Sequence, residues 1–195
     1  MIPIIIDPKM TRMALIGRGE VALRRLALLD EAGATGLTIF SDAPEPGFAA
    51  AAGQRLHQRL PNPEELAAFG IVWIADLPLD LATPLAEQVR DRGALVNVED
   101  VKPYCDFHNP AVVRRGDLLL TVSTNGQSPG LAVRIKRQLE AMFGSEWAER
   151  LRSVGRKRDA WKRRDRPLAE LAMLTDATID SKGWLPGQQT AGGVR

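Results

Sequence analysis

The stretch Met13-Ala-Leu-Ile-Gly-Arg-Gly-Glu-Val-Ala22 decides the fold of this chain. Its apolar start predicts a short buried strand, and the pattern G-x-G-x-x-A runs from Gly17 to Ala22. Apolar residues at helical spacing follow over 21–29, and Gly33 closes this predicted helix. A strand, a glycine turn and a helix in this order are the context that a dinucleotide-binding motif requires.

The turn contains the parts that hold a pyrophosphate. Gly17 permits a tight turn, Gly19 lets the backbone approach the phosphates, and Ala22 lets the helix pack closely on the strand. The helix N-terminus adds N–H groups and a partial positive charge. Arg18 either contacts a phosphate or is an ordinary exposed turn residue. We therefore predict a cofactor-binding turn made of Gly17, Arg18, Gly19, Glu20, Val21 and Ala22.

An acidic residue is expected about twenty positions after such a turn, where it bonds the ribose hydroxyls. Asp42 meets this expectation, since it lies just beyond a second apolar run at 37–40. Its charge would repel a 2′-phosphate and so favours NAD over NADP. The alternative is that Asp42 only begins a turn before Pro44.

Strands and helices continue to alternate after this point. Further strands are predicted at 71–75 and 94–98, with a helix at 81–92 between them. This order indicates an α/β fold, a Rossmann-like doubly wound parallel sheet.

The pattern changes after residue 110. The segment 110–117 introduces a strand at 118–123, and a polar loop then leads to Ser128, a good N-cap before Pro129. Two further amphipathic helices are predicted at 146–161 and 167–178. The long helix after Ser128 carries an apolar stripe that predicts a partner interface. The stripe consists of Leu131, Ile135, Leu139 and Met142.

These patterns predict four regions. Residues 1–112 form an NAD-binding Rossmann domain, and 113–145 form a dimerisation segment. Residues 146–183 form a small helical C-terminal domain, and 184–195 form a disordered tail.

Composition limits the function further. A hydrophobic content of 45% with 26% charged residues is typical of a folded globular protein. No apolar window approaches the ~18 residues of a membrane span and no secretory signal is evident, so we expect a cytoplasmic protein without a membrane role. One cysteine and two histidines argue against a protein metal site. Between 150 and 166, nine Lys/Arg accompany two Asp, which indicates a solvated helix face or a surface for acidic ligands.

Three more segments make a family resemblance specific. They are Ala75-Asp76, Asn97-Val-Glu-Asp100, and 107–117 leading to Thr121-Val-Ser-Thr-Asn-Gly-Gln-Ser-Pro129. Together with the glycine turn, they resemble the precorrin-2 dehydrogenase family of siroheme biosynthesis, which includes the N-terminal module of siroheme synthase. The likeness covers roughly residues 10–145.

The resemblance implies an NAD-dependent oxidation of precorrin-2 to sirohydrochlorin by a homodimer. Some members of the family also insert Fe²⁺ into sirohydrochlorin, a ferrochelatase reaction, so the resemblance allows this second activity here. Asp100 corresponds to the family's candidate catalytic carboxylate, and its place after a parallel strand suits a proton acceptor beside a bound ligand. The alternative is that Asp100 caps a turn before Pro103. Ala75 and Asp76, which follow the preceding strand, are expected to contact the cofactor.

The implied substrate is a tetrapyrrole with many carboxylates, which cations and N–H donors must bind. The expected substrate-binding residues are Arg114, Arg115, Ser123, Thr124, Asn125, Gly126 and Ser128, with the loop residues alternatively serving as turn and cap formers. A rival hypothesis is an NAD-sensing regulatory protein whose basic tail binds nucleic acid. Aromatic residues make up 5% of the chain, which is few for stacking on single strands and makes nucleic acid a poor candidate partner.

Overall fold

The structure is a computed structural model that describes residues 1–185. The chain forms two compact units, the first covering Met1–Asn109 and the second beginning at Pro110. The finer division at 112, 145 and 183 remains a prediction. Of the predicted tail, residues 186–195 lie outside the described residues. No helix in the described part of the chain is both long and apolar enough to cross a membrane.

The first unit is built around a parallel five-stranded sheet with the order β3-β2-β1-β4-β5. The strands are β1 Met13–Gly17, β2 Thr38–Phe40, β3 Leu56–His57, β4 Ile71–Ala75 and β5 Leu95–Val98. Helices α1 Glu20–Glu31, α2 Pro46–Ala52, α3 Pro63–Leu66 and α4 Leu79–Asp91 connect them. This confirms the predicted Rossmann-like sheet, and the order reverses direction between β1 and β4, where ligands bind in such folds.

Both faces of this sheet are buried, as expected for parallel strands covered by helices. Every residue of β1 and of β4 is buried. Leu15 belongs to the apolar cluster on one face together with Leu26 of α1, and Ile16 belongs to the cluster on the other face together with Val89 of α4. Successive side chains of β1 thus pack against helices on opposite faces of the sheet. This packing holds the end of β1, and with it the turn that follows, in place.

The second unit contains a hairpin and three helices among the described residues. Strands β6 Ala111–Arg115 and β7 Leu118–Val122 pair in antiparallel fashion. Gly116 has φ +60° at the first position of their two-residue connection, the place where a type II′ turn requires glycine. The predicted strand at 118–123 is therefore the second arm of a hairpin, whose first arm lies within 110–117.

Three helices complete the second unit: α5 Pro129–Met142, α6 Trp147–Lys162 and α7 Leu168–Ser181. The predicted N-cap of α5 is confirmed, because the Ser128 hydroxyl accepts a hydrogen bond from the Leu131 N–H. At the end of the described chain, the Trp184 N–H donates to the Ile179 carbonyl, and the Arg150 guanidinium lies 5.5 Å from the Trp184 ring centre. The first residue of the predicted disordered tail is thus part of this unit.

Candidate dinucleotide and catalytic site

The glycine turn follows β1 at the carboxyl edge of the sheet. A Cβ on Gly17 would lie 2.5 Å from the Ala22 Cβ and 2.8 Å from the Ala75 carbonyl oxygen. A Cβ on Gly19 would instead meet side-chain atoms, 2.9 Å from Glu45 Oε1 and 3.2 Å from Asp76 Oδ2. Gly17 is therefore needed for packing of α1 on the sheet, whereas the space beside Gly19 is occupied by two carboxylate side chains, those of Glu45 and Asp76.

Asp76 caps α1 from the end of the neighbouring strand β4. Its Oδ2 accepts the N–H groups of Val21 and Ala22 at 2.7 and 2.9 Å. The N-cap residue itself, Gly19, has no side chain to do this. Two N–H groups that the sequence assigned to the pyrophosphate are thus bonded to a carboxylate, and their predicted role requires Asp76 to release them.

The first turn of α1 retains two other donors. The N–H groups of Gly19 and Glu20 bond to no protein acceptor in the described residues. They point from a helix N-terminus, where free N–H groups and the helix dipole favour an anion. They fit the pyrophosphate of a dinucleotide when the Glu45 and Asp76 carboxylates beside Gly19 move aside.

Asp42 lies on the β2 side of the turn and is paired with Arg18. Arg18 Nε donates to Asp42 Oδ1 at 2.8 Å, and Arg18 Nη2 donates to Oδ2 at 2.6 Å. These hydrogen bonds from the guanidinium hold the pKa of Asp42 below its usual range and raise the pKa of Arg18. Asp42 is therefore ionised at neutral pH, and both of its oxygens have a partner.

Asp100 lies on the opposite side, two residues after β5 ends at Val98. It is exposed and has φ +63°, and Asp76 after β4 has φ +56°. Left-handed backbone is uncommon for residues other than glycine, although aspartate tolerates it, and it recurs at functional sites. Two strands in this sheet thus end in aspartates held in an unusual backbone conformation.

An ion pair links the Asp100 turn to α1. Arg25 Nη2 donates to both carboxylate oxygens of Glu99, at 2.9 and 2.7 Å, and Arg25 is 9% exposed. Glu99 directly precedes Asp100, and Arg25 lies on the helix that the glycine turn opens. Sequence analysis missed this pair, because partners 74 residues apart leave no local pattern.

Asn97 of the N-V-x-D segment has a structural role. Its Nδ2 donates to the Phe107 carbonyl at 2.8 Å, and its Oδ1 accepts from Asn109 Nδ2 at 3.1 Å. Asn109 Oδ1 in turn accepts from the indole N–H of Trp73 at 3.1 Å. This chain of hydrogen bonds fixes the segment after β5 to the sheet.

Cys105 and His108 are metal-ligating residue types that lie three positions apart. The Cys105 thiol donates to the Val98 carbonyl at 3.1 Å, and burial raises its pKa. Among residues 1–185, no group of three or more His, Cys, Asp or Glu side chains is placed to hold a metal ion.

The expected substrate-binding residues all belong to the second unit. Arg115 bonds main-chain carbonyls near the end of α5, those of Phe143 at 2.7 Å and Glu140 at 3.4 Å. The Thr124 hydroxyl donates to the Ser128 carbonyl and accepts the Ser128 N–H, and Ser123 accepts the Asn125 N–H. These contacts agree with the alternative that the loop residues form turns and caps.

The same loop has two residues in the left-handed region, Asn125 with φ +55° and Gly126 with φ +73°. A groove of about 540 Å³ lies along α5 and includes Arg134 and Arg137 in its lining. Sequence analysis did not identify these two arginines as candidates, because it treated the helix only as the carrier of the apolar stripe.

Two family models match the chain. One, described as putative NAD(P)-binding, matches residues 4–111, and the other, described as sirohaem biosynthesis protein central, matches residues 115–142. Siroheme synthase 1 of Pectobacterium atrosepticum is 33% identical over 84% of this chain and 34% of its own length. Siroheme synthase of Methylococcus capsulatus is 30% identical over 88% of this chain and 40% of its own length. The chain therefore spans about two fifths or less of these relatives.

A solved structure has the same fold. It is described as SirC, precorrin-2 dehydrogenase, and superposes with a TM-score of 0.72 at 23% identity, covering 95% of this chain and 93% of that one. The rival hypothesis of a nucleic-acid-binding regulator finds no support among these relatives. The chain belongs to the family described as putative NAD(P)-binding, and its residues 115–142 match the one described as sirohaem biosynthesis protein central.

Proposed function

We propose that this protein oxidises precorrin-2 to sirohydrochlorin with NAD⁺. The observation that carries the proposal is the arrangement at one edge of the sheet. The glycine turn after β1, Asp42 after β2 and Asp100 after β5 all lie at the carboxyl ends of strands, around the point where the order reverses. The sirohaem segment at 115–142 supports the choice of substrate.

The sheet order supports a different role for each side of the crevice. Asp42 is on the β2 side, where this fold places the adenosine ribose, so Asp100 on the β5 side is left for the nicotinamide. NAD⁺ supplies a hydride acceptor when it is bound. The substrate carbon gives up a hydride, and a neighbouring position gives up a proton as the conjugation of the macrocycle extends.

Asp100 is the proposed acceptor of this proton. The exposed carboxylate can reach a bound substrate, and the Arg25–Glu99 pair keeps the turn that carries it in place. General base catalysis of this kind contributes about 10²–10⁴ in rate. We expect the lower end of that range, because the extended conjugation of the product drives the reaction.

Cations of the second unit are proposed to bind the substrate carboxylates. Arg114, Arg134 and Arg137 are the candidates, the last two on the groove along α5. Arg115 is a weaker candidate, because main-chain carbonyls occupy its donors. The basic helix α6 adds further positive charge, part of which Glu149 neutralises.

The proposed assembly is a homodimer in the cytoplasm. On α5, Leu131 is 50% exposed and Met142 is 66% exposed, an apolar face that a second copy would cover. Light scattering at micromolar concentration should give the dimer mass, and a Leu131→Asp, Met142→Asp double variant should give the monomer mass. A wild-type monomer would contradict this assembly.

Anaerobic incubation with precorrin-2 and NAD⁺ tests the proposed reaction. Absorbance should show sirohydrochlorin and NADH appearing together in equal amounts. A parallel reaction with Fe²⁺ tests for the ferrochelatase reaction implied by the resemblance. Absence of NADH formation with a folded protein would contradict the proposed function.

A further inference from the structure

Arg18, which lies inside the glycine turn, binds the carboxylate of Asp42, the residue expected to select the cofactor. Arg18 binds Asp42 through two parallel hydrogen bonds of 2.8 and 2.6 Å, the bidentate geometry that gives strong and specific pairing. The Arg18 carbonyl also accepts the Glu45 N–H at 2.8 Å. The turn is thus tied to the segment after β2 by main chain and side chain together.

This pairing changes the charge at the ribose position. A free carboxylate at the end of β2 holds the ribose hydroxyls of NAD and repels the 2′-phosphate of NADP, whereas a nearby arginine accommodates that phosphate. Here the carboxylate of Asp42 and the guanidinium of Arg18 are both present, and they contact each other. The guanidinium offsets the negative charge of Asp42 and makes no other hydrogen bond within residues 1–185, so three of its five N–H groups remain for a ligand.

We propose that Arg18 is a specificity-determining residue and that the Arg18–Asp42 pair lets this site bind NADP as well as NAD. With NAD, Asp42 bonds the ribose hydroxyls. With NADP, Arg18 turns its free donors to the 2′-phosphate while still offsetting Asp42. The preference for NAD over NADP expected from the sequence considered the charge of Asp42 without its Arg18 partner. This inference rests on the proposed function only in placing a dinucleotide at the glycine turn.

Calorimetric titration of the full chain with NAD⁺ and NADP⁺ measures the two dissociation constants. The wild-type constants should lie within about tenfold of each other. Arg18→Ala should weaken NADP⁺ binding by about 10- to 100-fold, the size of a lost charge-assisted hydrogen bond, and change NAD⁺ binding by less than about threefold. Asp42→Asn should weaken NAD⁺ binding and leave NADP⁺ binding equal or tighter.

Two further variants make the result specific. Arg18→Lys keeps the charge without the paired geometry and should lose part of the NADP⁺ affinity. Arg24→Ala removes an exposed arginine of α1, whose contact is Glu20, and should leave the ratio of the two constants unchanged. Circular dichroism identifies any variant that fails to fold.

A wild-type preference for NAD⁺ above about 100-fold that Arg18→Ala leaves unchanged would overturn the inference while leaving the proposed dinucleotide site intact. Binding of neither nucleotide by folded wild-type protein would overturn both the inference and the proposed function.

Discussion

The first unit buries both faces of its sheet, whereas the second unit leaves much of its apolar surface open. Within residues 1–185, Val113, Ala132, Trp147 and Leu171 are the buried apolar side chains of the second unit, and all other members of the buried apolar set lie in the first. A two-stranded hairpin is marginal without further packing. The first unit therefore holds its elements together with its own core, and the second has few buried apolar side chains to do so.

Substitution at the two turn glycines should affect this first unit most strongly. Gly19→Val should abolish detectable NAD⁺ binding in calorimetry with little change in unfolding, because the side chain enters the space of the pyrophosphate and meets side-chain atoms that can move. Gly17→Ala should instead lower the free energy of unfolding by about 1–3 kcal/mol, because its Cβ meets the Ala75 main chain. Normal NAD⁺ affinity in Gly19→Val would show that the turn is not the phosphate site.

Asp100→Asn should lower the turnover number for precorrin-2 by about 10²-fold, because it removes the proposed proton acceptor. Asparagine also tolerates left-handed backbone, so the turn should persist and NAD⁺ affinity should stay the same. Asp165→Asn is the matched control, an aspartate with φ +52° in the second unit. Full turnover by Asp100→Asn would make Asp100 a turn former.

Glu99→Gln should destabilise the protein by about 1–3 kcal/mol in urea unfolding, because it leaves the nearly buried Arg25 with a weakened partner. If Glu99 positions Asp100, the turnover number should also fall several-fold with an unchanged pH profile. Glu140→Gln breaks an exposed pair with Lys136 in the second unit and should change stability by less than about 0.5 kcal/mol. An equal loss of unfolding free energy in the two variants would show that ion pairs contribute alike to the two units.

Acid should affect both units weakly through exposed pairs. Hydrogen bonds from Arg59 and from the Asn62 N–H lower the pKa of Glu65 to about 2, and Arg156 and Arg152 lower the pKa of Glu149. Each carboxylate therefore contributes stability above its unfolded pKa, and this is lost as the pH falls toward the folded pKa. Carboxyl NMR titration should find Glu65 still ionised at pH 3, and a midpoint near 4.5 would refute the pairing.

The sequence predicted the first unit well because its strands are continuous apolar runs and because α1 and α4 are each followed by a glycine in the left-handed region, Gly33 and Gly93. The sequence analysis did not predict short elements such as β3 and α3. The capping box between Asn62 and Glu65 could have indicated the start of α3.

The site was predicted as a set of residues but not as a set of contacts. The Arg18–Asp42 clasp, the Asp76 cap on α1 and the Arg25–Glu99 pair join residues 24 to 74 positions apart. Such pairs depend on the strand order, which brings the ends of distant strands together and which local patterns do not contain.

A crystal structure of the full chain with NAD⁺ bound tests the central claim most directly. The pyrophosphate should lie against the N–H groups of Gly19 and Glu20, with the adenosine ribose at Asp42 and the nicotinamide on the side of Asp100. A dinucleotide bound away from the turn, or with its nicotinamide on the Asp42 side, would contradict the account.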